Sequence, residues 1–172
     1  MIVCDMALLK ALPGKFSALR AGRAVVGVLE DTNERSRSMT RAEKARSDRM
    51  ATSTPSDQTN AEIGYRHEFG EGKIPQRSFI RVPLMDNLGP RLAAPEFKTV
   101  VEGFLTDTAS RDEVLGYMAE AAEDTIDEAF ETGGSGKWPA LAASTIKSKG
   151  SDEILVETTQ LRHSITSRVL SK

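Results

Sequence analysis

Apolar residues recur at three- and four-residue steps through one long stretch, at Val114, Leu115, Met118, Ala122, Ile126, Ala129 and Phe130. That spacing predicts an amphipathic helix. Ser110 and Glu113 have the spacing of a capping box at its start. Gly133 and Gly134 stand where a helix end is expected, so the helix should run over about 110–132. Leu8, Leu9, Leu12, Phe16 and Leu19 form a second helical stripe, interrupted by Pro13 and Gly14. They predict a short helix, or two half-helices, packed on a sheet. Ala24–Glu30 is compact and β-branched, and Ser164–Leu170 alternates Ile165 and Val169 with polar groups. Both predict strands, paired with each other or with a hairpin partner. Gly27 marks a bulge or a close approach. Glu96–Leu105 fits a helix or a short buried strand, and periodicity leaves the choice open. Leu141–Lys149 predicts a short helix and Asn87–Pro95 a loop punctuated by proline and glycine. The fold class is therefore α+β: a small antiparallel sheet packed with helices, one of them long, and extended loops or arms.

Two stretches break the periodicity. Residues 31–59 are almost free of large apolar groups, and Arg35, Arg37, Arg41, Lys44, Arg46 and Arg49 outnumber the acids there. A helix over about 40–50 is compatible with propensity. The flanks read as loop, and a loop this long is functional or mobile. Charge runs usually face water, but a tied basic loop can also meet a partner protein or sense a passing polyanion without reading its sequence. The second stretch is NAEIGYRHEFGEGKIPQRSFIRVPL, from Asn60 to Leu84. Ile63, Tyr65 and Phe69 are apolar, and Gly64 lets another backbone come close. Gly70–Lys73 is a turn, with His67, Glu68 and Phe69 leading into it and Gly70 needing a positive φ. Pro75 and Pro83 lack the amide donor of a helix interior, so Ile74–Leu84 reads as an extended or turn-rich arm. Ile74, Pro75, Arg77, Phe79, Ile80 and Arg81 are the candidate contact residues of that arm. Phe79 and Ile80 would be anchors, and Arg77 and Arg81 would form charge-assisted bonds around them. The acidic side of the long helix (Glu120, Glu123, Asp124, Asp127, Glu128, Glu131) offers partners.

Composition narrows the classes. A chain of 172 residues predicts one domain with an appendage, and 39% hydrophobic residues make a modest core. A net charge of −2 argues against a generally basic nucleic-acid binder while leaving room for a local basic patch. The single cysteine, Cys4, allows no internal disulfide framework. No apolar run approaches the roughly 20 residues of a membrane span, and the N-terminus does not read as a signal peptide. A reducing cytosol is the expected compartment.

Catalytic constellations are thin. His67 and His163 are the two histidines, and neither has a second ligand at metal-site spacing. GGSGK before Trp138 follows a helix and is not followed by Ser or Thr, so it reads as a turn and not as a phosphate loop. Trp138-Pro139 would anchor that turn against the core or a neighbour. The acidic helix face is read as solvated charge. No enzyme, metal or cofactor is predicted. A metal-dependent DNA-processing enzyme, using the acidic helix and the basic arm, is the least favoured alternative.

AEIGYRHEFG followed by IPQRSFIRVPL resembles the A-x-I-A-x-x-H-E-F-G … I-P-x-R-x-F-[IL]-R pattern of the tail-completion, or virion-morphogenesis, proteins of long-tailed phages, including the Mu-like group. Trp138, Pro139 and Leu141, then Thr145, Ile146, Lys149, Gly150, Ser151 and Asp152, then Leu155, Val156, Thr158, Leu161, Ser164 and Ile165 are similar to the family's C-terminal pattern. Thr159 departs from the glycine more usual in the D-T-G-x-L position. The resemblance covers most of the chain except residues 31–59. It implies a structural neck protein that forms a six-fold or twelve-fold ring with itself. Its neighbours would be the portal, adaptor or head-completion protein on one side and the tail terminator or tail tube on the other. It would lie in the virion after assembly in the host cytoplasm, with no cofactor and no membrane, and with genomic DNA passing non-specifically. A tail terminator ring of the same neck is the alternative. The resemblance favours contact between subunits for the Ile74–Arg81 arm, over packing on its own subunit. For the basic insertion, protein contact is favoured over DNA, since gripping DNA would slow its passage.

Overall fold

The computed structural model describes residues 6–32, 59–150, 152, 154–155 and 160–171. The basic residues Arg35, Arg37, Arg41, Lys44, Arg46 and Arg49, together with Cys4, Ser151, Val156, Thr158 and Thr159, lie outside them. Among the described residues there are seven helices and a two-stranded antiparallel sheet, an α+β chain with a small sheet. The order is α1 (Met6–Arg20), β1 (Gly22–Val28), a 3-10 turn (Glu30–Thr32), α2 (Asn60–Phe69), α3 (Arg81–Leu92), α4 (Pro95–Leu105), α5 (Arg111–Glu131), α6 (Ala143–Lys149), α7 (Gln160–His163) and β2 (Ile165–Ser171). No helix among them is long and apolar enough to cross a membrane.

The chain forms two compact units, each assembled from separated stretches. The first comprises Met1–Gly27, Ile80–Glu128 and Ser167–Lys172. Phe104, Val114, Leu115, Ala119, Ala121, Ala122 and Ile126 are its buried apolar groups. Helix α1 packs on α4. Lys15 reinforces that contact by donating to the Phe104 carbonyl at 2.9 Å, pairing with Asp107 and lying over the Phe104 ring. Phe97 and Tyr117 join α4 to α5, with ring centroids 5.2 Å apart. The capping box at the start of α5 is formed: Glu113 N–H donates to Ser110 Oγ at 3.1 Å, and Ser110 N–H donates to the Glu113 carboxylate at 2.6 Å. Those bonds stabilise the ionised carboxyl and hold its pKa below the usual range.

Three expectations change here. Glu96–Leu105, left open between helix and strand, is helical. Asn87–Pro95 is not a loop, because α3 runs to Leu92 and α4 starts at Pro95. The arm also ends sooner than expected, since helix begins at Arg81 and takes in Pro83. Proline is tolerated there because the first four amides of a helix have no intrahelical acceptor in any case. Pro13 stands inside α1, which is continuous over Met6–Arg20.

The second unit comprises Val28–Phe79 and Ala129–Thr166. Helix α2 starts in a second capping box, Thr59-x-x-Glu62, with both reciprocal bonds present. Asn60 is buried and donates to the Thr32 carbonyl at 3.1 Å, while Thr32 Oγ1 donates to the Ser164 carbonyl at 2.6 Å. Thr32 and Asn60, which flank the basic insertion, are thus fastened to each other. Helix α2 packs on α7, where Gly64 faces Phe79 and the Leu161 methyl closely enough that a Cβ would touch both. After α5 the chain makes a left-handed turn: Gly133, Gly134, Ser135 and Gly136 all have φ between 58° and 74°.

Candidate functional site

The arm and the tryptophan turn, 60 positions apart in sequence, meet in the second unit. Gly70 ends α2 with φ +76°, its N–H donating to the Arg66 carbonyl at 2.9 Å. A side chain there would strike the Gln76 backbone, so glycine is required by both the angle and the space. Glu71 and Ile74 close a tight turn by two antiparallel backbone bonds, and the chain returns along α2. Arg77 N–H donates to the His67 carbonyl at 2.7 Å, and Gln76 Nε2 donates to the Glu68 carbonyl at 3.1 Å.

Glu68 is the centre of this clasp. Its side chain is buried, and its two carboxylate oxygens accept from Ser78 Oγ at 2.5 Å and from Phe79 N–H at 2.9 Å. A buried carboxylate is costly unless its lone pairs are satisfied, and these two donors come from the returning limb. Phe79 is 1% exposed and packs on Phe130, with centroids 5.1 Å apart. Phe130 in turn meets Trp138 edge-on at 5.8 Å. Trp138 Nε1 donates to the Ser78 carbonyl at 3.0 Å. The Arg77 guanidinium is buried, and donates from Nε and Nη2 to the Pro139 carbonyl at 3.0 and 2.9 Å and from Nη2 to the Ala140 carbonyl at 3.2 Å. Burial draws its pKa below the ordinary arginine value.

The candidate residues therefore divide. Arg77 and Phe79 serve their own chain: Phe79 is a core side chain, not an exposed anchor, and Arg77 binds carbonyls of the tryptophan turn and not the carboxylates expected for it. Ile74 and Ile80 are half-buried; Pro75 and Arg81 are exposed. Of the structural-turn residues, Gly70 has the predicted positive φ and Glu68 is structural. Phe69 is not packed beneath the turn. It is exposed and stacks on the equally exposed Tyr65, with centroids 4.9 Å apart. His67 is half-buried, and its buried Nδ1 has no partner among the described residues. Burial first, and Arg77 second, push its pKa down to about 4. The acidic side of α5 is used within the chain, by Arg91 on Glu128 and Asp124 and by Arg162 on Glu131.

The sequence reading missed Ser78 and the carbonyls of Pro139 and Ala140. A hydroxyl ten residues beyond a glutamate gives no periodic signal, and carbonyls are present at every position. Among the described residues no three His, Cys, Asp or Glu side chains group as metal ligands. Chemically the arrangement is a lock. It fixes the returning limb and leaves Glu71, Gly72, Lys73, Pro75 and Gln76 exposed at the turn. Comparison with protein-family models, curated proteins and solved structures finds no match.

Proposed function

We propose that this chain is a structural virion protein that forms a homo-oligomeric ring in the neck of a long-tailed phage, joining the portal or adaptor side of the head to the tail. The observation that carries this reading is the clasp itself. The HEFG and IPQRSF segments and the Trp138-Pro139 segment are among the stretches that carry the resemblance to tail-completion proteins, and in this chain they bind one another. Residue types set by a shared scaffold would be expected to do so. On this reading the motif is internal scaffolding, and the exposed turn it holds, around Lys73 and Pro75, touches the next copy.

A closed ring needs a heterologous interface, with one surface of each copy meeting a different surface of the next. A turn locked at both ends loses little conformational entropy on docking. The exposed Tyr65–Phe69 pair beside it adds aromatic surface of the kind enriched at interfaces. The proposed role is assembly, without catalysis or cofactor, and the proposed neighbours are a portal or head-completion ring and a tail terminator or tail tube. Epitope-tagged chain in purified particles, located by gold labelling, tests this. Label confined to the head–tail junction is the expected result; absence of the chain from complete particles would refute the reading.

A further inference from the structure

The clasp holds one titratable ring that its hydrogen bonds leave over. His67 lies in the last turn of α2, and its carbonyl is engaged by Arg77 N–H. Its Nδ1 is buried without a partner among the described residues. Beside it the Arg77 guanidinium is held in place by three bonds to two carbonyls and cannot swing away without breaking them. Glu68 cannot turn to neutralise a new charge, because its carboxylate is engaged by Ser78 and Phe79. The surrounding elements carry further charged or titratable groups: Glu62 and Arg66 on α2, Glu71 and Lys73 in the turn, Lys137 before Trp138, and Arg162 and His163 on α7. The charge that acts on the imidazole is that of Arg77, in the same direction as burial.

We propose that His67 makes the clasp an acid-sensitive latch: a proton added to the imidazole sets a second positive charge against Arg77, and the limb 74–79 leaves α2 and the tryptophan turn before the helices melt. The proton comes from solvent and no bond other than hydrogen bonds changes. The latch is independent of the neck reading, although it governs the same exposed turn. Its direction follows from the chemistry: the neutral ring fits the closed clasp, and once the limb has left, the uncovered His67 ring accepts the proton at the ordinary histidine value.

Trp138 is the only tryptophan in the chain and its indole N–H is bonded to the limb at Ser78, so it reports the latch directly. Tryptophan emission and far-UV circular dichroism are followed together from neutral pH to below 4. The proposal predicts an emission red-shift at a higher pH than the loss of helical ellipticity. His67→Gln removes that early shift, whereas His163→Gln, at the other histidine, leaves it in place. Emission and ellipticity moving at one midpoint, or His67→Gln keeping the wild-type emission midpoint, would overturn it. Should His67→Gln fail to fold, NMR of the wild-type protein decides: the His67 ring proton and the Trp138 indole N–H titrate with one midpoint if the latch exists, and with separate midpoints if it does not.

Discussion

Replacing Phe79 by alanine separates an internal role for the motif from an interfacial one. The side chain is 1% exposed, so truncation removes apolar area that is fully withdrawn from water and opens a space facing Phe130 and Gly64. Buried Phe→Ala changes cost about 3–5 kcal/mol, the spread reflecting how far the site collapses. Collapse is hindered on one side by Trp138, which is fixed to Phe130 and to the Ser78 carbonyl. The upper half of the range, about 4 kcal/mol, is therefore expected. Against a total stability of roughly 5–15 kcal/mol for a typical domain, this is a large fraction, and the purified subunit should show it without any partner present. Urea unfolding followed separately by tryptophan emission and by circular dichroism is the assay, because two compact units need not melt as one. The emission midpoint of Phe79→Ala should fall sharply. A variant within about 1 kcal/mol of wild type in isolation, yet unable to enter particles, would refute the argument and return Phe79 to the subunit interface.

Gly134→Ala should destabilise the second unit by roughly 2–4 kcal/mol, combining a left-handed backbone angle with overpacking against the Trp138 ring; an emission spectrum and midpoint unchanged from wild type would contradict this. Ser110→Ala should cost about 1 kcal/mol in α5 by removing its cap, measured by circular dichroism against urea. For His67, the folded value near 4 lies below the ordinary 6.5, so the unfolded chain holds the extra proton between those two values. Its contribution to stability is thus complete above about pH 6.5 and is lost as pH falls through 4. At most about 3 kcal/mol is at stake, less whatever solvent screens at a half-buried ring, and urea midpoints at stepped pH for wild type and His67→Gln measure it.

Local signals were read well where they are local. The α5 periodicity, its Ser110–Glu113 cap and its glycine stop lie within one segment and survive unchanged in the fold. The β1 and β2 strands were legible because alternation and β-branching need no knowledge of the partner. The arm was misjudged at Arg81 because proline was weighed as if it stood in a helix interior, whereas Pro83 lies among amides that have no helical acceptor. The T-x-x-E cap of α2 was available at Thr59–Glu62 but was obscured by the glycines and prolines that follow. The clasp was only half legible. Glu68 and Gly70 could be read as structural from the turn they precede, but a carboxylate satisfied by a hydroxyl ten residues on, and an arginine spent on carbonyls 62 and 63 residues away, are set by tertiary approach. Exposed Phe69 beside buried Phe79 makes the same point: two phenylalanines in one motif carry identical hydrophobic weight in sequence and opposite burial in the fold.

The clasp is internal to the chain, and the turn it holds is the part proposed to meet a neighbour. The most direct measurement is maleimide labelling of a Cys4→Ser chain carrying a single new cysteine, Lys73→Cys or Phe79→Cys, as free subunit and in assembled particles. Lys73→Cys should label rapidly in the free subunit and be protected in the particle. Phe79→Cys should resist labelling in the folded subunit, before any assembly. Equal labelling of Lys73→Cys in both states, with Phe79→Cys open in the subunit and closed in the particle, would contradict the account.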